Sequence, residues 1–274
     1  MRSESNPDFG PQLEAKSSPT QFKFPFHPQW QNVEACGHCG YTQEAGFKFC
    51  VSCGKRPLLV IKQEQEDRAD FNNSLRVLGF YGIYFAILMI ISFTLNETYQ
   101  FDLGVSIGDA IITLVFFFSI KGLWRIILPK KLHLQTLLTV LTLGIASPLL
   151  VHKLITFLTV HFKLIDYSLI DFTAPNPLLF ALITTALFPA IFEELAFRGF
   201  LYHYLEKIGG AKMALLASSF LFAMVHFSMI SLIWLFPFGL LVGYLRQKHN
   251  TLIYGIILHF MHNVGVILLD WNGY

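Results

Sequence analysis

The sequence predicts an all-α polytopic membrane protein of about seven transmembrane helices, preceded by a small cysteine-rich module and a disordered N-terminal tail. Three observations carry this expectation. The 274-residue chain is 54% hydrophobic and 14% charged, where a soluble domain carries about 25% charged residues. From about residue 76 onward its apolar residues, 28 Phe in the chain among them, form runs long enough for spans of ~20 residues. All four cysteines lie outside those runs, between positions 36 and 53.

Residues 1–30 are polar and rich in Pro, Ser and Gln, without the continuous apolar core of a signal peptide, and read as a disordered tail. The near-neutral balance of +2 offers no basic excess for nucleic acid. A lipid bilayer and a membrane-bound peptide or protein are the expected partners.

The cysteines follow the pattern Cys36-x2-Cys39, ten residues, Cys50-x2-Cys53. Each pair presents two thiolates to one tetrahedral ion, and four thiolates close a structural Zn²⁺ shell with no open position for catalysis. Gly37, Gly40 and Gly54 fall where the tight knuckle turns need a permissive backbone. Residues 31–60 therefore resemble a zinc ribbon. Rubredoxin-like iron takes the same ligands, and a pair of disulfides is the alternative for a segment outside the cytosol. Residues 61–76 read as a linker to the membrane domain, 77–274.

The apolar runs give spans at approximately 77–95, 104–127, 132–151, 178–201, 212–230, 232–246 and 251–270. No polar loop separates the fifth from the sixth, which predicts a tight hairpin. Residues 152–177 fit a longer third helix followed by an interfacial segment. Lys and Arg collect at alternate flanks: Lys62, Arg68 and Arg76, then Arg125, Lys130 and Lys131, then Lys207 and Lys212, then Arg246 and Lys248. Only Lys153 and Lys163 oppose the trend. The positive-inside rule then places the N terminus in the cytoplasm and the C terminus outside. A cytoplasmic cysteine module sits in a reducing compartment, which favours metal over disulfides.

The fourth span contains Glu193, Glu194 and Arg198. An ionisable residue at the centre of a membrane helix costs roughly 2.5–3.5 kcal/mol on insertion scales and usually faces an interior cavity. The bland alternative is a structural i,i+4 ion pair between Glu194 and Arg198. Phe222 and His226 follow in the fifth span, and His259 and Asn263 in the seventh, each pair four apart on one helix face. Polar groups from three helices at similar depth satisfy one another best around a shared wet pocket. HExxH and GxSxG are both missing, and the spans hold no Cys. What remains is a carboxylate, imidazoles and an amide, groups suited to activating water and stabilising a tetrahedral oxyanion. Pro189, one turn before Glu193, removes a backbone hydrogen bond to the Thr185 carbonyl and loosens the helix there.

The order EExxxR (Glu193, Glu194, Arg198), FxxxH (Phe222, His226) and HxxxN (His259, Asn263) resembles the CPBP family over about residues 177–270. That family contains the type II CAAX prenyl endopeptidases and proteins linked to bacteriocin processing and self-immunity. The resemblance implies an intramembrane protease in the plasma membrane of a bacterium. It implies Glu193 as the residue that activates water, assisted by His226, with His259 and Asn263 stabilising the oxyanion and Glu194 and Arg198 supporting the site. Glu plus two His is also a plausible Zn²⁺ set, and the reading adopted is a metal-independent glutamate mechanism. A non-catalytic immunity or scaffold protein of the same fold is the alternative function. An ion or proton transporter is a further one, against which the lack of a detectable inverted repeat weighs.

Overall fold

The structure is a computed structural model, and it describes residues 33–44, 48–56, 58–94, 99–129, 131–162, 170–226 and 229–273. The expected tail, 1–30, lies outside the described residues. The chain divides into two compact units, Met1–Arg68 and Ala69–Tyr274.

In the first unit, β1 (Val33–Ala35) pairs antiparallel with β2 (Thr42–Glu44), Glu34 opposite Gln43. The turn between them is the first cysteine knuckle. Gly40 N donates to Cys36 O at 2.8 Å, and Cys36 N to Tyr41 O at 2.8 Å. The second knuckle repeats the pattern: Gly54 N donates to Cys50 O at 2.8 Å and Cys50 N to Lys55 O at 2.9 Å. Gly40 (φ 73°) and Gly54 (φ 68°) close these turns in the left-handed region that favours glycine. Gly37, expected to share that duty, is not among the positive-φ residues, because one left-handed residue closes each knuckle. Gln43 ties β2 to the second knuckle, donating to Phe49 O and accepting from Val51 N.

The membrane domain is helical. In order it has α1 (Leu58–Thr94), α2 (Tyr99–Ser119), a short 3₁₀ turn (Leu123–Ile126) and α3 (Leu134–Phe162). A helix of 48 residues, Pro177–Met224, follows. It is built from α4 (Pro177–Ala181), a wide π turn (Leu182–Leu187), α5 (Phe188–Glu193), a second π turn (Glu194–Leu201) and α6 (Tyr202–Met224). Then come α7 (Met229–His249) and α8 (Ile253–Trp271). Among the described residues, Leu134–Phe162, Pro177–Met224 and Ile253–Trp271 are long and apolar enough to cross a membrane, and Leu103–Ser119 is a shorter apolar helix.

Each expected span finds a helix, with shifted ends. Residues 61–76 lie within α1. The second span ends at Ser119 and not at 127, because Gly122 (φ 81°) turns the chain into the 3₁₀ segment. The third helix is the longer one expected. The fourth and fifth spans are one continuous run interrupted at Gly210 (φ 77°, ψ 174°), so the region of Lys207 and Lys212 is a helix break and not a loop. The sixth helix, expected at 232–246, has 21 residues. Ile111, Val115 and Phe118 of α2 and Ile145, Leu149 and Phe157 of α3 are all exposed. An outer face this apolar fits contact with lipid tails.

Close backbone approach joins α3 to α8. A Cβ on Gly265 would lie 2.4 Å from Pro148 Cγ, and one on Gly144 2.8 Å from Met261 Cβ, which is the use of small residues that helix packing in lipid favours. The ring of Phe200 packs at a tilt against Tyr81 of α1 (5.0 Å) and Phe116 of α2 (5.1 Å), docking both helices on the long one. At the basic flanks, Leu252 N donates to Ile126 O (2.6 Å), Thr251 Oγ1 to Ile127 O (3.2 Å) and His133 N to Tyr254 Oη (2.8 Å). Elsewhere Ile170 packs with Ala181, Ala186 and Ile267.

Candidate active site and metal centre

The long helix presents Glu193 and Glu194 where α5 passes into the second π turn. Adjacent positions on a helix point about 100° apart, so the two carboxylates meet different surroundings. Glu194 is fully buried. Its Oε1 accepts from Arg198 Nη1 at 3.2 Å and lies 3.1 Å from His259 Nδ1. Arg198, also fully buried, donates Nη2 to the Gly239 carbonyl at 3.2 Å, and its guanidinium lies 4.1 Å from the centre of the Phe222 ring. A charge held this deep is tolerable only when paired and hydrogen-bonded. Arg198 is therefore not a two-pronged clamp on one carboxylate: one prong holds Glu194 and the other the backbone of α7.

α8 supplies a ladder on one face. A Cβ on Gly255 would lie 3.2 Å from Glu194 Oε2, so the bare backbone makes room for that carboxylate. One turn on, His259 is almost fully buried between the rings of Phe222 (5.8 Å) and Phe238 (5.5 Å). Its Nδ1 faces Glu194, and its Nε2 lies 3.9 Å from Glu193 Oε2. Another turn on, Asn263 Nδ2 donates to the Thr185 carbonyl at 2.8 Å. This is the carbonyl that Pro189, lacking an N–H, leaves without its i+4 donor.

Both glutamates have a buried Oε2 without a hydrogen-bond partner. Glu193 differs in its surroundings: it borders a cavity of about 170 Å³ lined also by Tyr81, Asp109, Phe197 and His226. Such a volume admits several waters. His226 is exposed and lies in the turn two residues past the end of α6, not within the helix of the fifth span as its i,i+4 spacing from Phe222 predicted. With its Nδ1 2.9 Å from the Phe222 carbonyl, the ring donates there and leaves Nε2 for the cavity. Asp109 stands on α2, its Oδ1 accepting from Tyr84 Oη at 3.4 Å.

Of the residues singled out by sequence, Glu194, Arg198 and His259 form one bonded network, Glu193 and His226 share the cavity, and Asn263 binds backbone. Sequence reasoning missed Asp109, Tyr81, Gly239 and Gly255. Asp109 alone left a trace, as a lone carboxylate in the apolar run IGDAIITLVFFF. His262, between the two motif residues of α8, is a satisfied core histidine: Nδ1 lies 2.9 Å from Ser147 Oγ, and Nε2 accepts from Trp234 Nε1 at 3.3 Å. Tyr202, one turn after Arg198, is buried and donates its Oη to Ala211 O.

Residues 175–265 match the family model described as type II CAAX prenyl endopeptidase Rce1-like. The matched stretch holds Glu193, Glu194, Arg198, His226, His259 and Asn263, and it leaves the cysteines and helices α1 to α3 outside. The cavity beside Glu193 is lined also by residues beyond the match, Tyr81 and Asp109. Neither a curated protein nor a solved structure matches the chain.

The second centre lies in the N-terminal unit. Cys36, Cys39, Cys50 and Cys53 are free thiols whose sulfurs all fall within 4.8 Å of one another. Cys36 Sγ is 3.8 Å from Cys53 Sγ, and Cys39 Sγ is 3.6 Å from Cys50 Sγ. A tetrahedral Zn²⁺ with Zn–S near 2.3 Å separates its sulfurs by about 3.8 Å, so the residues fit such an ion. The backbone N–H groups of His38 and Cys39 pull the Cys36 thiol down to about 7. Lys55 N–H acts the same way on Cys53, yet desolvation and the neighbouring sulfurs outweigh it and push that thiol up to about 11. Sulfurs crowded in this way resist ionising together until a cation joins them. Among the described residues, these four are the group of three or more ligating side chains gathered closely enough to hold a metal.

Proposed function

We propose that the chain is an intramembrane endopeptidase that hydrolyses a peptide bond of a membrane-associated substrate with water activated by Glu193. The observation that carries this reading is that Glu193, and not Glu194, lines a cavity large enough for several waters, together with His226 and Asp109. The match to the type II CAAX prenyl endopeptidase family supports it. Glu194 is bound through Oε1 to Arg198 and His259 and lies away from the cavity lining, which favours Glu193 as the base.

In the proposed reaction a cavity water, oriented by His226 Nε2, gives a proton to Glu193 while its oxygen attacks the scissile carbonyl carbon. His259 Nε2, when the ring carries both protons, donates to the oxyanion. Glu194 keeps that imidazole in place through Nδ1. As the C–N bond breaks, the leaving nitrogen takes a proton from Asp109, and the Glu193 proton returns to Asp109 through cavity water. The sum is one water consumed and one acid and one amine released. The mechanism routes no step through a metal.

The N-terminal module is read as a zinc ribbon, with Zn²⁺ closing the four-sulfur shell as a structural ion. The convergence of the α2–α3 and α7–α8 connections at one end, both of them basic flanks, supports a cytoplasmic assignment for that end.

Comparison of membrane-protein termini in cells carrying the wild-type chain or Glu193→Gln tests the reading. New termini that appear with the wild type and vanish with the variant, at equal protein level, support hydrolysis. A phenotype retained in Glu193→Gln with no change in termini moves the reading to a binding or immunity protein.

A further inference from the structure

The hydrogen bond from Asn263 to the Thr185 carbonyl has a partner in the sequence, Pro189. In an α-helix the N–H of residue 189 would serve that carbonyl. Proline has none, and its ring crowds the carbonyl four residues earlier. The helix answers with a π turn over Leu182–Leu187, ending one residue before α5, which carries Pro189 and Glu193. π turns are wide, uncommon and concentrated at functional sites. An extra residue in one turn rotates everything after it by about 100° relative to a straight α-helix. Without the widening, Glu193 would leave the cavity wall and the register of Glu194 with His259 would be lost.

We infer that Asn263 is a positioning residue for Glu193: its side-chain amide replaces the backbone donor that Pro189 removes, and so holds the wide turn that aims Glu193 into the cavity. The inference rests on the reading of Glu193 as the residue that activates water, and it departs from a role for Asn263 at the oxyanion. An unsatisfied carbonyl in a bilayer costs several kcal/mol, a strong pull for a donor. Nδ2 meets Thr185 O at 2.8 Å, within the best range for such a bond. The ladder of α8 explains the supply, because Gly255, His259 and Asn263 are spaced by four and all reach the long helix.

The test is a double-mutant cycle in the full chain, purified in detergent, between Asn263 and Pro189. Pro189→Ala restores a backbone N–H, so the carbonyl no longer depends on Asn263. Asn263→Leu, which keeps about the same size and has no donor, should lower the melting midpoint by about 3 °C or more in the Pro189 chain and by about 1 °C or less in the Pro189→Ala chain. Equal losses in both backgrounds overturn the inference, whatever the enzyme activity. Where the wild type cleaves a farnesylated peptide ending Cys-aliphatic-aliphatic-X in proteoliposomes, Asn263→Leu should lose about tenfold or more in rate, and Pro189→Ala should recover most of that loss. A merely structural or oxyanion role gives no such recovery. Failure of the wild type to cleave bears on the proposed function alone, because the melting cycle still decides the role of Asn263.

Discussion

His259 holds its Nδ1 3.1 Å from Glu194 Oε1, inside a network that also contains Arg198 and in which every member is almost fully buried. The adjacent glutamate shares none of these short bonds. The two carboxylates of the EE pair therefore meet different surroundings, one in a buried ion-paired network and one lining the cavity.

Glu194→Gln keeps the shape and removes the charge that balances Arg198. Breaking a buried ion pair on one side costs about 3–5 kcal/mol, so this variant should melt well below the wild type. Arg198→Lys keeps the charge but cannot reach both Glu194 and the Gly239 carbonyl, and should fall between the two. Thermal unfolding of the full chain in detergent checks the order. A Glu194→Gln chain as stable as the wild type would separate the network from stability.

Asp109 is assigned the proton for the leaving nitrogen. Asp109→Asn should lower the rate by about 10²-fold and remove the alkaline limb of the pH profile, while Tyr84→Phe has a small effect. An unchanged rate and profile would take Asp109 out of the reaction.

The full chain, purified under reducing conditions, should carry one Zn²⁺, and Cys39→Ser should carry none. Acid should release the metal, because protons compete for the thiolates as pH falls. Metal analysis that finds no ion, or iron in its place, would contradict the zinc assignment.

The parts of this protein legible in sequence are those fixed by short-range spacing. The CxxC pairs declare a four-sulfur cluster because each knuckle is closed within five residues of chain. The seven apolar runs declare helices because a bilayer demands internal hydrogen bonding. The i,i+4 motifs declared a shared face for His259 and Asn263. Helix ends were less legible: Gly122 and Gly210 reshape two of them through single backbone angles. The π turns could not be read either, although Pro189 pointed to the loosened carbonyl. Asp109 and Gly239 depend on which helices pack together, which no local pattern encodes.

Orientation follows from the basic flanks. A reporter fused after Tyr274 should lie outside, and one inserted after Lys131 should lie in the cytoplasm. Protease protection or a dual-compartment reporter distinguishes them. Both on one side would overturn the seven-span order.

The central claim is that Glu193 activates the attacking water. The direct measurement is single-turnover cleavage of the farnesylated peptide in proteoliposomes by the wild type and by Glu193→Gln, with folding of both checked by melting. The account predicts no detectable cleavage by Glu193→Gln at a near-wild-type melting midpoint, since the ion-pair approach of Glu193 to His259 is long, at 3.9 Å. Cleavage by Glu193→Gln at the wild-type rate would contradict it.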